Sequence, residues 1–406
     1  MSAERLYQMM GLIGYHVEDV WLSKKEELFV FVSIARADLC CRNCGCRRVH
    51  LNDGRRRLWK GVPLGLTPVI VAMQVPRVKC LQCGSKTWHQ PRFANGQRQV
   101  TRKFEEYIES WMANLTIRDA AVRFGVSWNT IRDIDMARLK KLPRPQLKGL
   151  KRLAIDENYL GKRHKYITIV VDLDTRAIVS VTKGRGQAAL KGFFSRLKKS
   201  GAKIRAVATD MAGGYIAAVQ KFLPDAKLVF DHFHVVKLMN EKLTILRREL
   251  YHELKAGPQR DALKGVRWLL LKNRENLVQN DKVDERQTLD EALKLNDSLF
   301  KAYYLKDELH LFWMQSSKAD AKKFLEQWCR RAQATGIRVL RTISKTLLAH
   351  KSGLLNWYDE PISTGPLEGI NNKIGALQRR AYGYRNYKHL VQRLLTLHHT
   401  RFVLKG

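Results

Sequence analysis

The stretch LAIDENYLGKRHKYITIVVDLDTRAIVSVT, residues 153–182, decides the expected fold of this chain. It holds three β-prone runs, which are Leu153–Tyr159, Tyr166–Leu173 and, after a turn at Asp174–Thr175, Ala177–Thr182. Two helical stretches and two short strands then alternate, in the order Gln187–Ser200, Ile204–Thr209, Tyr215–Leu223 and Lys227–Phe230. A three-stranded meander followed by helix–strand–helix–strand predicts a ribonuclease H-like α/β domain, although other α/β folds share parts of this order.

The net charge of the chain indicates which class of molecule it binds. The 406 residues carry 74 Lys plus Arg against 38 Asp plus Glu, a net charge of +36 spread along the chain. Such a field attracts polyanions, of which nucleic acid is the commonest, and a ribosome-associated factor would fit it too. An anionic membrane surface is less favoured, because no strongly amphipathic basic helix dominates. No apolar run approaches the ~18 residues of a membrane span, and the N-terminus lacks a signal-peptide pattern. We therefore expect a cytoplasmic protein with no membrane partner.

Paired cysteines predict a zinc site. Six of the seven cysteines lie between Cys40 and Cys83, and four of them form two CxxC knuckles, Cys41/Cys44 and Cys80/Cys83. Two such turns present four thiolates at tetrahedral spacing, which is typical of a structural zinc site on a β-ribbon. Cys40 or Cys46 could replace a neighbouring ligand, and unpaired core cysteines are the alternative interpretation.

The stretch TIRDAAVRFGVSWNTIR, residues 116–132, has the pattern of a helix-turn-helix. Thr116 and Ser127 are suitable N-caps for two helices, and Gly125 suits the turn between them. The second helix would present four side chains to a major groove; they are Trp128, Asn129, Thr130 and Arg132. An ordinary helical hairpin could mimic this pattern, but the caps and the basic surroundings favour DNA.

Three acidic residues are candidate catalytic groups. Asp156 lies within the first predicted strand, Asp210 ends the fourth, and Glu368 opens a C-terminal helix. Carboxylate oxygens suit Mg2+, and two such ions could activate a water or a 3′-hydroxyl for in-line attack on phosphorus. Single acids at strand ends are usually solvated or turn-forming, as Asp172 and Asp174 illustrate at a hairpin end.

Five blocks of the sequence resemble the bacterial insertion-sequence transposases, and the zinc ribbon followed by a helix-turn-helix resembles their ISL3 family. The blocks are AIDEN (154–158), ATDM (208–211), FDHFHVVK (230–237), GPLEGINNK (365–373) and RRAYGYRN (379–386). The resemblance implies a DDE transposase whose metal ligands are Asp156, Asp210 and Glu368, with two Mg2+ ions for which Mn2+ can substitute. It also implies terminal inverted repeats and target DNA as partners, and a homodimer or higher oligomer on that DNA.

The expected fold class is multidomain α/β: a zinc ribbon, a helix-turn-helix, and a ribonuclease H-like domain interrupted by an all-helical insertion. The expected boundaries are 1–95 for the zinc-ribbon DNA-binding domain, 96–148 for the helix-turn-helix, 149–240 and 346–406 for the two catalytic parts, and 241–345 for the insertion. Glu368 lies 158 positions after Asp210, which leaves room for that insertion.

Three further residues have open roles. The resemblance marks Asp231 and His234, and His234 could orient a phosphate, donate to a catalytic carboxylate, or pin the insertion to the sheet. Among the tryptophans of the insertion, Trp268 adjoins Arg267, an arrangement that suits stacking on an unpaired base; the alternative is a core position, as for most such tryptophans. For the whole chain, the alternatives to a transposase are a catalytically silent, transposase-derived DNA-binding regulator and a structure-specific nuclease on the same fold.

Overall fold

The computed structural model describes residues 7–96, 98–161, 165–280 and 283–399. These residues form two compact units, the first ending at Leu142 and the second beginning at Pro143. The expected zinc-ribbon and helix-turn-helix regions both fall in the first unit. Across the described ranges, no helix combines the length and the apolar character that a membrane span requires.

The first unit begins with a five-stranded sheet. Its strands are β1 (His16–Leu22), β2 (Leu28–Ser33), β3 (Val49–Leu64), β4 (Thr67–Cys80) and β5 (Lys86–Trp88). The order is β1-β2-β4-β3, with β5 paired to β4; only the β2–β4 pair is parallel. Alternate residues of β2 and β4 face a core around the buried indole of Trp59, so the predicted β-ribbon is one part of a larger sheet.

Three helices complete this unit: α1 (Arg102–Trp111), α2 (Ile117–Phe124) and α3 (Trp128–Lys141). The hydroxyl of Thr116 accepts from the N–H of Asp119, and that of Ser127 accepts from the N–H of Thr130, so both predicted N-caps are confirmed. Gly125 ends α2 with φ of 58°, a left-handed conformation that glycine adopts without strain. Ile131 and Ile134 are fully buried, so the face of α3 that carries them packs against the core.

The second unit contains a mixed sheet. Its strands are β6 (Arg152–Gly161), β7 (Lys165–Asp172), β8 (Ile178–Lys183), β9 (Ala206–Thr209) and β10 (Lys227–Phe230), in the order β10-β9-β6-β7-β8. The strands β6, β7 and β8 form an antiparallel meander. On the other side of β6, β9 pairs with it in parallel, and β10 pairs in parallel with β9. All five predicted strands are thus present, with ends that differ by at most two residues.

Helices cover both faces of this sheet. One face packs on α4 (Gln187–Lys199) and α5 (Gly213–Phe222) through Leu153, Ile155 and Val207. The other packs on α13 (Gly365–Arg380) and α14 (Tyr387–Leu395) through Ala154, Ile169 and Ala208. Because neighbouring residues of a strand point to opposite faces, Asp156 belongs to the face of Ala154, on the side of α13.

Between β10 and α13 lies a helical insertion with its own core, which includes Met239, Tyr303 and Trp328. Its helices are α6 (His232–Glu253), α7 (Pro258–Gly265), α8 (Glu285–Lys294), α9 (Asp297–Leu309), α10 (Lys318–Ala334), α11 (Arg338–Ala349) and α12 (Lys351–Leu355). It is not wholly helical: the short strands β11 (Gln279–Asn280) and β12 (Val283–Asp284) pair in antiparallel fashion. The expected boundary after residue 240 falls inside α6, because that helix starts directly after β10, and the one after residue 345 falls inside α11.

Candidate functional site

Four cysteine side chains meet where β3 and β4 lie beside the two knuckles. The sulfur of Cys41 lies 3.6 Å from that of Cys83, and the sulfur of Cys44 lies 3.5 Å from that of Cys80. All four ligand atoms lie within 4.8 Å of one another. Among the described residues, Cys40 and Cys46 are not in this group. The four candidate zinc ligands are therefore the cysteines of the two regular CxxC turns.

Backbone hydrogen bonds shape each knuckle. The N–H of Gly45 donates to the carbonyl of Cys41 at 2.9 Å, and the N–H of Gly84 donates to that of Cys80 at 3.1 Å. Both glycines have positive φ, 73° and 71°, which a residue with a side chain rarely adopts. Four sulfur ligands in two such turns form a closed set that suits structural zinc, with no open position for chemistry.

The four predicted DNA-reading residues lie at the start of α3. Trp128 is 47% exposed and Asn129 is also exposed. Thr130 bonds to the Ser127 hydroxyl at 2.9 Å, so it helps to start the helix. The guanidinium of Arg132 lies 5.6 Å from the Trp128 ring centroid and donates to Asp133 at 2.7 Å, in an ion pair that is partly exposed.

The three predicted catalytic acids come from three elements of the second unit. Asp156 lies in β6, Asp210 directly follows β9, and Glu368 lies in the first turn of α13. Ala154 pairs with Ala208 across the parallel strands β6 and β9. Asp156 and Asp210 each lie two residues beyond this pair, and hence on the same face of the sheet.

Asp156 is held by two donors. Its Oδ1 accepts from the N–H of Glu157 at 2.8 Å, and its Oδ2 accepts from the side-chain amide of Asn371 at 3.0 Å. Burial raises the pKa of the Asp156 carboxyl above its usual range, and the charge of Asp210 adds to this; the two hydrogen bonds and the charge of His234 oppose it. The charges of Asp210 and His234 therefore both act on the Asp156 carboxyl.

Asn371 connects Glu368 to this pair. It lies one turn after Glu368 on α13, and residues three apart share a helix face. The amide of Asn158 in turn donates to the Asn371 side-chain oxygen at 3.0 Å, so β6 contacts this face of α13 twice. Glu368 itself is exposed. The contacts of Asn371 and Asn158 were not predicted; the one-turn spacing from Glu368 was the available signal for Asn371.

The three acids do not form one tight cluster. Within the described part of the chain, only the four cysteines form a group of three or more ligands whose ligand atoms all lie within 4.8 Å of one another. Asp156 and Asp210 are neighbours on one sheet face. Glu368 lies on the helix whose Asn371 donates to Asp156.

Asp231 and His234 lie at the start of α6. Asp231 is 2% exposed, and its Oδ2 accepts from the hydroxyl of Thr364 at 2.6 Å. His234 is half-buried in the first turn of α6, near enough to Asp156 to lower the pKa of that carboxyl.

Trp268 is a surface residue of the insertion. Its side chain is 64% exposed, and the Arg267 guanidinium lies 4.5 Å from its ring centroid. Trp328, by contrast, is fully buried and donates to the carbonyl of Leu305 at 2.9 Å, and Trp313 packs against His232 with ring centroids 4.2 Å apart. Of these three, Trp268 is the tryptophan whose ring is open to a ligand.

Comparison with known proteins agrees with this combination of a cysteine cluster, capped helices and an acid-bearing sheet. A family model described as a transposase matches residues 153–394, which defines the class of protein. A second model, the helix-turn-helix domain of transposase family ISL3, matches residues 90–139.

Curated relatives extend over nearly the whole chain. The transposase for insertion sequence element IS1001 of Bordetella parapertussis is 33% identical over 93% of this chain and 94% of its own length. The transposase for insertion sequence element IS1557 of Mycobacterium tuberculosis is 29% identical over 90% of this chain and 87% of its own. The chain therefore belongs to the ISL3 family of insertion-sequence transposases, and DNA is its partner.

A solved structure, the Drosophila P element transposase strand transfer complex, is 12% identical over 77% of this chain and 95% of that chain. Its TM-score of 0.42 is too low to support an argument about this fold.

Proposed function

We propose that this transposase binds the terminal inverted repeats of its insertion sequence and cleaves and transfers DNA strands at a centre formed by Asp156, Asp210 and Glu368. The observation that carries the proposal is the bond from Asn371 to Asp156. It turns the face of α13 that bears Glu368 towards the strand that bears Asp156, across 215 residues of sequence.

The sheet supports this proposal. Its order, β10-β9-β6-β7-β8, with an antiparallel meander extended by two parallel strands, is the arrangement expected of a ribonuclease H-like domain. Neighbouring strands lie ~5 Å apart, so the equivalent positions of Asp156 and Asp210 on β6 and β9 favour a shared ligand. We assign both carboxylates to one metal-binding edge.

The donor set fits magnesium. Carboxylate oxygens are hard ligands, and Mg2+ keeps open positions for phosphate oxygens. Bound there, two Mg2+ ions, or Mn2+ in their place, would supply activation of a water or a 3′-hydroxyl and stabilisation of the leaving oxygen. Burial disfavours the charged form of Asp156, and Asn371 together with the Glu157 N–H holds that carboxylate in its ionised, ligating form. Each ion needs only two of the three carboxylates, so the wider placement of Glu368 is compatible with this assignment.

DNA recognition belongs to the first unit in this proposal. Asn129 is exposed and carries both a donor and an acceptor, which suits an adenine edge in the major groove. Arg132 offers further donors to a base edge, and Trp128 and Thr130 line the same start of α3. Zinc in the cysteine cluster stabilises the sheet beside these helices. Trp268 stacks on DNA near the cut, and the protein acts as a dimer or larger oligomer on paired ends.

The test separates binding from chemistry. Asp156→Asn, Asp210→Asn and Glu368→Gln keep side-chain size but weaken the metal ligand, so each should abolish Mg2+-dependent cleavage of a terminal-repeat duplex. Each should still shift the same duplex in a gel, because the recognition residues lie before Leu142. Asp225→Asn, an exposed acid after α5, is the matched control and should cleave normally.

Two results would change the proposal. Normal cleavage by any of the three carboxylate variants would remove that residue from the centre. Binding without any cleavage by the wild-type protein, with Mg2+ or Mn2+ present, would favour the catalytically silent regulator.

A further inference from the structure

Two helices start at the junctions between the insertion and the catalytic sheet, and their N-cap residues behave unusually. Asp231 caps α6 and Thr364 caps α13. Aspartate and threonine are preferred N-caps because a side-chain oxygen accepts an N–H of the first turn. Neither does so here. Instead the Thr364 hydroxyl donates to the Asp231 carboxylate at 2.6 Å, and both side chains are buried.

This bond lies between the backbones that carry two of the acids. The N–H of Asp231 donates to the carbonyl of Thr209 at 3.4 Å, immediately before Asp210. The carbonyl of Thr364 accepts from the N–H of Leu367 at 2.7 Å and from that of Glu368 at 3.3 Å. One side-chain hydrogen bond therefore connects the strand end beside Asp210 to the helical turn that contains Glu368.

Other contacts join the same edge, and one of them is the bond from the Arg205 guanidinium to Glu360 at 2.6 Å, four residues before Thr364. The Asn356 amide donates to the carbonyl of Leu228 at 2.9 Å, and Asp359 pairs with Lys227 at 3.1 Å. The Lys227–Asp359 pair is partly exposed, and ion pairs in solvent contribute little. A short hydrogen bond to a buried carboxylate is of the strong, directional kind. Of these contacts, the Asp231–Thr364 bond is the one made by the N-cap residue of α13 itself.

We propose that Asp231 and Thr364 are positioning residues that set the place of Glu368 relative to Asp156 and Asp210, and thereby the metal affinity of the centre. The inference rests on the proposed function, in which Glu368 is a metal ligand. Its structural basis is that two local caps are given up for one bond between residues 133 apart in sequence. Neither helix therefore has a side-chain cap, but the bond joins the two ends of the insertion beside the proposed metal-binding centre.

The experiment uses the full chain and measures metal binding as well as cleavage. Thr364→Val removes the hydroxyl but keeps the shape, Thr364→Ser keeps the hydroxyl, and Asp231→Ala removes the acceptor. Thr396→Val is the matched control, because Thr396 is also a buried threonine but bonds only to its own helical turn. Mn2+ affinity is measured by calorimetry without DNA, and the Mg2+ dependence of cleavage is measured on a terminal-repeat duplex.

We expect Thr364→Val to weaken Mn2+ binding and to raise the half-saturating Mg2+ concentration by about 10-fold or more, the usual loss when a group supporting a metal ligand is removed. Thr364→Ser should restore both values, and Thr396→Val should match the wild type. Wild-type metal affinity in a folded Thr364→Val protein would overturn the inference. If that variant does not fold, Asp231→Ala decides, and wild-type metal affinity there has the same meaning.

Glu368→Gln, measured in parallel, separates this inference from the proposed function. Should Glu368→Gln cleave normally, the proposed centre is wrong whatever Thr364→Val does. Should Glu368→Gln be inactive while Thr364→Val binds metal normally, only the positioning role fails.

Discussion

Replacing Asn371 by alanine tests how the centre is held together. The change removes the amide that donates to Asp156 at 3.0 Å and leaves Asn158 without its acceptor. A hydrogen bond to a charged acceptor is worth about 1.5–3 kcal/mol. If that stabilisation is needed in the transition state, cleavage should slow by about 10-fold to 100-fold, since each 1.36 kcal/mol is a factor of ten.

The pH dependence of cleavage by the Asn371→Ala variant provides a second, independent test. Burial already raises the pKa of Asp156, and the Asn371 bond opposes that rise. Without Asn371 the pKa should rise further, so ionised Asp156 becomes scarcer as the pH falls. The acid limb of the rate profile should therefore move to higher pH, and the variant should recover part of its deficit under alkaline conditions.

The assay is single-turnover cleavage of a terminal-repeat duplex at several pH values, with saturating Mg2+. Asn372→Ala is the matched control, because Asn372 is the adjacent, exposed asparagine of the same helix. Asn158→Ala should have a smaller effect, since a neutral pair is worth only about 0.5–1.5 kcal/mol. A rate and pH profile for Asn371→Ala that match those of Asn372→Ala would refute the argument.

Three further predictions concern other parts of the chain. Cys80→Ser should release zinc and unfold the first unit while leaving the second folded, and elemental analysis that finds no zinc in folded wild-type protein would contradict this. Trp268→Ala should lower cleavage or joining with little change in Tm, whereas Trp328→Ala should cost about 3–5 kcal/mol of stability; a large loss of Tm in the first variant would make Trp268 a core residue. Gly353→Ala should destabilise the protein in a urea titration, because its Cβ would lie 2.3 Å from a ring carbon of Phe230; an overpacking cost of about 1–3 kcal/mol exceeds the ~1 kcal/mol gained in helix propensity, and equal or greater stability would show that the ring moves aside freely.

Local patterns predicted the strands and the cysteine pairs well. Runs of Ile and Val are typical of buried strands, and both ends of the strand Lys227–Phe230 were predicted correctly. The CxxC turns are local too, since glycines at positions 45 and 84 close each knuckle within a few residues. These features depend on short stretches of chain, which is why sequence alone could reveal them.

Long-range pairings were not predictable in the same way. Asn371 meets Asp156 only because α13 docks on the sheet face of Ala154, which no local pattern encodes. Asp231 and Thr364 are the N-cap residues of α6 and α13, and only tertiary structure shows that their side chains bond to each other. The expected insertion boundaries at residues 240 and 345 lie inside α6 and α11, because the helical pattern of each helix continues through them.

Phe230 shows how the insertion and the catalytic sheet depend on each other. It is a residue of β10, yet its ring is buried in the core of the insertion with Val235 and Leu354. Gly353 allows α12 to approach that ring closely, so the returning chain packs against the strand from which the insertion departs. Asp231 follows Phe230 and bonds to Thr364, four residues before Glu368. A displacement of the insertion core would therefore move the ring, the strand end and the start of α13 together, which couples the packing of the insertion to the geometry of the proposed centre.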